Sequence, residues 1–96
     1  MRIDRKNLES NLPKKGFVKE KQHHHIYFHH MVDGKPTGAY TLISHTKKFQ
    51  DITGDLIKKI RKQLKLDTSK QLEELVNCPM TGDDYLSHLR SKGVLS

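Results

Sequence analysis

Histidine is concentrated in one short stretch of this chain, and imidazole is the side chain best suited to moving protons near neutral pH. Five of the seven histidines lie in the nine residues 22–30. An unperturbed imidazole titrates at about pH 6.5, so it can accept a proton, donate one or bind a metal ion. Any chemistry that this chain performs is therefore expected first in this stretch.

The residues between these histidines are mostly apolar or aromatic, which predicts a β-strand over residues 22–30. Side chains alternate between the two faces of a strand. Ile26 and Phe28 are suited to the core, so their face, which also carries His24 and His30, should point inward. The opposite face should then hold His25 open to solvent, in line with His23, Tyr27 and His29.

The composition indicates one small, basic domain. The chain has 96 residues, 33% of them apolar, and a net charge of +7 with histidine neutral. Such a charge points to a polyanionic partner, nucleic acid first and an anionic membrane surface second. The first twenty residues hold no apolar run typical of a secretory signal, and no stretch approaches the ~20 apolar residues of a membrane span. With the single cysteine, Cys78, these features predict a cytoplasmic protein that does not enter the membrane.

Turn and capping signals divide the chain into elements. Asp4 should cap a first helix that ends near Leu12, before Pro13. The sequence Asp33-Gly34 predicts a tight hairpin between the histidine strand and a third strand over residues 39–45. Apolar residues at helical spacing predict a second helix capped at Asp51 or Thr53, and these residues are Ile52, Leu56, Ile57, Ile60 and Leu64.

Together these elements predict an α+β fold of two layers, in the order α-β-β-β-α, with a three-stranded antiparallel sheet. Residues 1–66 would form this domain. Residues 67–96 would form a helical hairpin packed on it, with Asp67 or Thr68 capping its first helix, Thr81 capping its second, and a break at Cys78-Pro79. Cys78 is interpreted as a small core residue between the two helices, and His45 as a capping or buried histidine.

The order of several short motifs resembles the HicA family of small toxins from prokaryotic toxin–antitoxin pairs. The motifs are Leu-Pro-Lys-Lys-Gly-Phe-Val at residues 12–18, His-His-Ile-Tyr at 24–27, and Lys-Gln-Leu-Lys-Leu at 62–66. The resemblance covers residues 8–66 and implies a fold like the double-stranded-RNA-binding domain. It also implies an mRNA endonuclease whose essential histidine lies on the second strand, before an apolar and then an aromatic residue. The residue in that position is His25.

If the resemblance holds, the protein is an RNA-binding toxin and a metal-independent endoribonuclease, and a HicB-like antitoxin would cover its basic face. His25 would be the catalytic group, because a histidine can take the proton of a ribose 2′-hydroxyl or protonate the departing 5′ oxygen. Tyr27 and His29 would contact RNA beside it. Lys58 and Lys62, on the polar side of the second helix, would contact phosphates.

Other interpretations of the same residues stay open. His25 and Tyr27 also suit plain exposed strand positions, and the lysines suit a solvated helix face. A non-catalytic module that binds RNA or protein is favoured by Gln22 and His23, where the family often has Gly-Ser, and by the C-terminal extension. A metal site on His23, His25 and His29 is the third class, although no cysteine or carboxylate is near in sequence to complete it. We expect no cofactor and no resident metal.

Overall fold

The structure is a computed structural model that describes residues 2–44 and 51–94. The elements follow in the order β1 (Arg2–Asp4), α1 (Arg5–Asn11), a 3₁₀ helix (Leu12–Lys15), β2 (Phe17–Lys21), β3 (His25–Val32), β4 (Lys35–Ser44), β5 (Asp51–Thr53), α2 (Gly54–Gln63), α3 (Ser69–Val76) and α4 (Gly82–Ser91). The predicted α+β class, with a three-stranded antiparallel sheet between helical segments, is confirmed. The predicted third strand is described as far as Ser44. His45, interpreted as a capping or buried histidine, lies outside the described residues.

The sheet is an antiparallel meander with β3 in the middle. The β3–β4 hairpin turns at Asp33 and Gly34, whose φ angles of 52° and 78° are the left-handed values of a two-residue hairpin turn. The predicted Asp-Gly hairpin is therefore confirmed. The β2–β3 hairpin turns at His23 and His24, where the backbone N–H of Gln22 donates to the carbonyl of His25 at 2.8 Å.

The predicted start of the histidine strand was therefore too early. His23 and His24 do not alternate between the faces of β3, because a two-residue turn takes both out of the pleat. From His25 onward the predicted alternation is confirmed. Ile26 and Phe28 face the core at 4% and 0% exposure, and His25 is exposed.

A second, two-stranded sheet was not predicted. β1 and β5 pair antiparallel, and Ile3 lies opposite Ile52, with both side chains buried. Ile52 is thus a strand residue, and its assignment to the second helix was wrong. Leu56, assigned to the apolar side of that helix, is 40% exposed. Strands of three residues are too short for a period of two to distinguish them from a helix end.

The helices cover the inner side of the three-stranded sheet. Asp4 caps α1 as predicted, its carboxylate accepting from the backbone N–H of Lys6 at 2.7 Å. α2 begins after Thr53 and packs against β4, where the Thr41 hydroxyl donates to the Gln63 side-chain oxygen at 2.8 Å. The described residues contain no helix whose length and apolar content would let it cross a bilayer.

The C-terminal helices share one hydrophobic core with the sheet. Thr81 closes a capping box at the start of α4, as predicted, and of the two candidates for the cap of α3 it is Thr68 that caps the helix, also in a capping box. Tyr85 is fully buried, and its ring lies against Phe17 of β2. The tail therefore packs on the side of the sheet opposite to His25. Cys78, predicted to be in the core, is exposed in the α3–α4 connection, so that interpretation was wrong.

Candidate functional site

The outer face of the three-stranded sheet is the surface that the helices leave uncovered. Strand register sets two rows of side chains across it. One row runs from Glu20 through Tyr27 to Leu42, and the other runs from Val18 through His29 to Tyr40. His25 lies beyond the first row, opposite Ser44 at the end of β4. We call the surface formed by Val18, Glu20, His25, Tyr27, His29, Tyr40 and Leu42 the outer face.

The outer face carries a ladder of aromatic rings. The rings of Tyr27 and His29 are nearly parallel, 3° apart in plane, with centroids 5.7 Å apart. His29 in turn lies 6.0 Å from the ring of Tyr40, with 27° between the planes. His25 begins this series, 6.3 Å from Tyr27 and inclined to it by 64°. The rings are held on two adjacent strands, so their spacing is set by the sheet and not by a flexible loop.

Electrostatics distinguish the two outer-face histidines. The Nε2 atom of His29 lies 3.7 Å from a carboxylate oxygen of Glu20 on the neighbouring strand. His25 makes no ion pair within the described residues, and its ring is exposed at the start of β3. The imidazole of His25 is thus available to a ligand, whereas the Nε2 edge of His29 faces the Glu20 carboxylate.

His30 lies on the inner side, as predicted from the strand pattern. It is 2% exposed, with its ring edge-on to Phe17 and Tyr85 at 5.0 and 4.9 Å. Its Nδ1 atom lies 3.0 Å from the hydroxyl of Thr37. Burial lowers the pKa of His30, because the charged form loses its hydration. This histidine is a structural residue of the core.

The structure brings three of the predicted site residues together and places the other two elsewhere. His25, Tyr27 and His29 share the outer face. Lys58 and Lys62 are exposed on α2, which packs through buried Ile57 and Ile60 in the helical layer on the other side of the sheet. A ligand seated on the outer face would have to pass round the sheet edge to meet those lysines.

Tyr40 belongs to the ladder and was missed by the sequence analysis. It was missed because a bulge in β4 shifts the strand register. Val32 pairs with Lys35, but His29 pairs with Tyr40. Regular pairing from the Asp-Gly turn would have set Gly38 opposite His29 instead. Gly38 has a φ of 93°, which permits the bulge. Tyr40 could have been placed on the outer face only by alternation against its buried neighbours Ala39 and Thr41.

Residues 2–44 and 51–94 contain no group of three or more histidine, cysteine, aspartate or glutamate side chains that could hold a metal ion. The arrangement considered from sequence needed His23 beside His25 on one strand face, and His23 lies in the turn. The outer face offers the imidazole groups of His25 and His29, the phenol groups of Tyr27 and Tyr40, and the carboxylate of Glu20.

Comparison of the chain with protein-family models, with curated proteins and with solved structures found no match.

Proposed function

We propose that this protein binds RNA on its outer face and cleaves it with His25, as a HicA-like mRNA endonuclease of the cytoplasm. The observation that supports this most is the exposure of His25 at the end of a ring ladder on a chain of net charge +7. Bases stack on aromatic rings, and the positive charge attracts the phosphate backbone.

In the proposed reaction, the ribose 2′-hydroxyl attacks the adjacent phosphate. His25 accepts the hydroxyl proton as the new oxygen–phosphorus bond forms. The bond to the 5′ oxygen breaks, and that oxygen leaves with a proton from water at this exposed site. The products are a 2′,3′-cyclic phosphate and a 5′-hydroxyl end. Tyr27 and His29 would hold the neighbouring bases, so that the reacting phosphate lies beside His25.

As a toxin of this type, the protein would be inhibited by a HicB-like antitoxin. The outer face is the surface that such a partner would have to cover, because the tail and the other helices pack on the inner side of the sheet. Coexpression with the product of the adjacent gene should relieve growth arrest if the pair forms.

The engagement of His29 favours a second candidate, a non-catalytic RNA-binding module. The Nε2 atom of His29 faces the Glu20 carboxylate at 3.7 Å, so this nitrogen is directed to Glu20 and not to the leaving group. Incubation of purified protein with single-stranded RNA in the presence of a metal chelator distinguishes the two. The endonuclease should produce cyclic-phosphate ends. RNA that is bound but intact after long incubation would leave only the binding module.

A further inference from the structure

A basic cleft lies in the helical layer, away from the outer face. It is formed where the C-terminal ends of α2 and α4 meet, and its volume is about 350 Å³. The cleft is shallow and open to solvent, so a phosphate group can reach its walls. The cleft is lined by Arg61, Lys62, Lys65, Leu66, Asp67, Lys92 and Val94.

Two of the four lining cations are used to build the cleft. Arg61 donates to the backbone carbonyls of Leu66 and Asp67, at 3.0 and 3.2 Å. Lys92 pairs with the carboxylate of Asp67 and joins the end of α4 to the connection after α2. These contacts, first among them the hydrogen bond from Lys92, lower the pKa of Asp67. Asp67, the one carboxylate that lines the cleft among the described residues, is thereby paired with a cation.

The other two cations are left for a ligand. Neither Lys62 nor Lys65 makes an ion pair or hydrogen bond through its ammonium group within residues 2–44 and 51–94. Lys65 has a φ of 61°, and its backbone carbonyl accepts from His88 Nε2 at 2.7 Å. The left-handed backbone of Lys65 turns the chain after α2, so that Leu66 and Asp67 form part of the cleft wall. Two ammonium groups without a partner among the described residues, side by side on a shallow open surface, can pair with an anion.

We propose that this cleft binds a phosphate group of the RNA backbone, through Lys62 and Lys65 on a frame set by Arg61, Asp67 and Lys92. The inference rests on the proposed RNA binding but not on cleavage. The proposed site combines Lys62 of α2 with residues of the C-terminal tail, because Lys92 and Val94 form part of the cleft wall. RNA is favoured over an acidic protein because the cleft is open to solvent and two of its lysines can each meet a phosphate of an extended backbone.

The test compares single-lysine changes that alter net charge equally. Lys62→Ala and Lys65→Asn remove cleft charges, and asparagine is chosen because it tolerates a left-handed backbone. Lys59→Ala removes a charge from the same helix at an exposed position outside the cleft. Affinity for a single-stranded RNA is measured between about 0.05 and 0.2 M salt, with His25→Ala in the background so that the RNA stays intact.

Each cleft variant should lower the slope of log affinity against log salt by about 0.7. This corresponds to about fivefold weaker binding at 0.1 M salt, because one phosphate contact is lost. Lys59→Ala should change affinity less than twofold. Equal losses of RNA affinity in all three variants would show that the RNA responds to the overall positive charge and not to the cleft. That result would overturn the proposal, and so would unchanged affinity in both cleft variants.

Two further outcomes separate this inference from the proposed function. If wild-type protein binds no RNA, both the proposed function and the cleft proposal are wrong. If RNA is bound through the cleft but is never cut, only the proposed endonuclease activity is wrong. Inorganic phosphate serves as a second probe. Saturation of the cleft by free phosphate, with unchanged RNA binding, would mean that its ligand is a small anion and would overturn the RNA assignment.

Discussion

The hydroxyl of Tyr85 donates a hydrogen bond to the backbone carbonyl of Leu64 at 2.8 Å, and both residues are fully buried. The bond joins α4 to the end of α2, across the boundary at residue 66 that the sequence suggested. The tail therefore completes the core of the domain, with Leu72, Leu75 and Leu89 in the same cluster.

Replacement of Tyr85 by phenylalanine should lower the free energy of unfolding by about 1–2 kcal/mol, because the Leu64 carbonyl would stay buried without its donor. Chemical denaturation measures the change. Tyr40→Phe is the matched control, since its hydroxyl is on the exposed outer face, and it should change stability by less than about 0.5 kcal/mol. Equal values for the two variants would contradict this role of Tyr85.

Gly16 tests how closely His30 is packed. A Cβ atom at Gly16 would lie 3.3 Å from Nε2 of His30, and the φ of Gly16 is 95°. Gly93 also has a positive φ, 75°, but a Cβ there would meet nothing within 4 Å. Gly93→Ala should cost about 1 kcal/mol for the backbone alone, and Gly16→Ala about 2–3 kcal/mol. Thermal unfolding of both variants gives the comparison, and a Gly16→Ala cost no larger than that of Gly93→Ala would show that the ring can move.

Stability should fall in acid because of His30. Burial lowers its pKa in the folded protein, so below about pH 6.5 the unfolded chain binds more protons than the folded chain. The contribution of His30 is therefore complete above that pH and is lost as pH falls through the folded pKa, with a slope of at most about 1.4 kcal/mol per pH unit. His30→Gln should give a flatter profile between pH 7 and pH 5. An unchanged slope in that variant would assign the acid sensitivity to other groups.

Tyr40 should contribute to RNA affinity through its ring. Stacking is worth about 1–3 kcal/mol per base, so Tyr40→Ala should weaken binding of single-stranded RNA by about 5- to 150-fold. Tyr40→Phe keeps the ring and should stay within about twofold. Leu56→Ala, at another exposed apolar side chain on α2, is the control and should have no effect. If Tyr40→Ala binds as tightly as wild type, bases do not stack on the ladder.

Local signals predicted much of the fold. Asp4, Thr68 and Thr81 cap helices where their side chains were expected to do so, and the Asp33-Gly34 turn is where its sequence indicates. These features depend on residues within four positions of one another. The pairing of β1 with β5 depends on segments almost fifty residues apart, which no local pattern contains.

Only part of the candidate site could be predicted, because local patterns do not determine how distant segments pair. A period of two was enough to orient His25, Tyr27 and His29, whereas the place of Tyr40 depends on a bulge in the next strand. The exposure of Cys78 depends on how the α3–α4 connection leaves the core, which a Cys-Pro pair does not determine.

The central claim is that His25 performs RNA cleavage, and the rate of cyclic-phosphate formation for His25→Ala against His24→Ala tests it most directly. Both histidines are exposed and adjacent, but His24 lies in the turn and off the outer face. We predict that His25→Ala loses cleavage by at least about 100-fold, as expected for a proton-transfer group, while it still binds RNA and His24→Ala cuts at the wild-type rate. Cleavage by His25→Ala at the wild-type rate would contradict the claim.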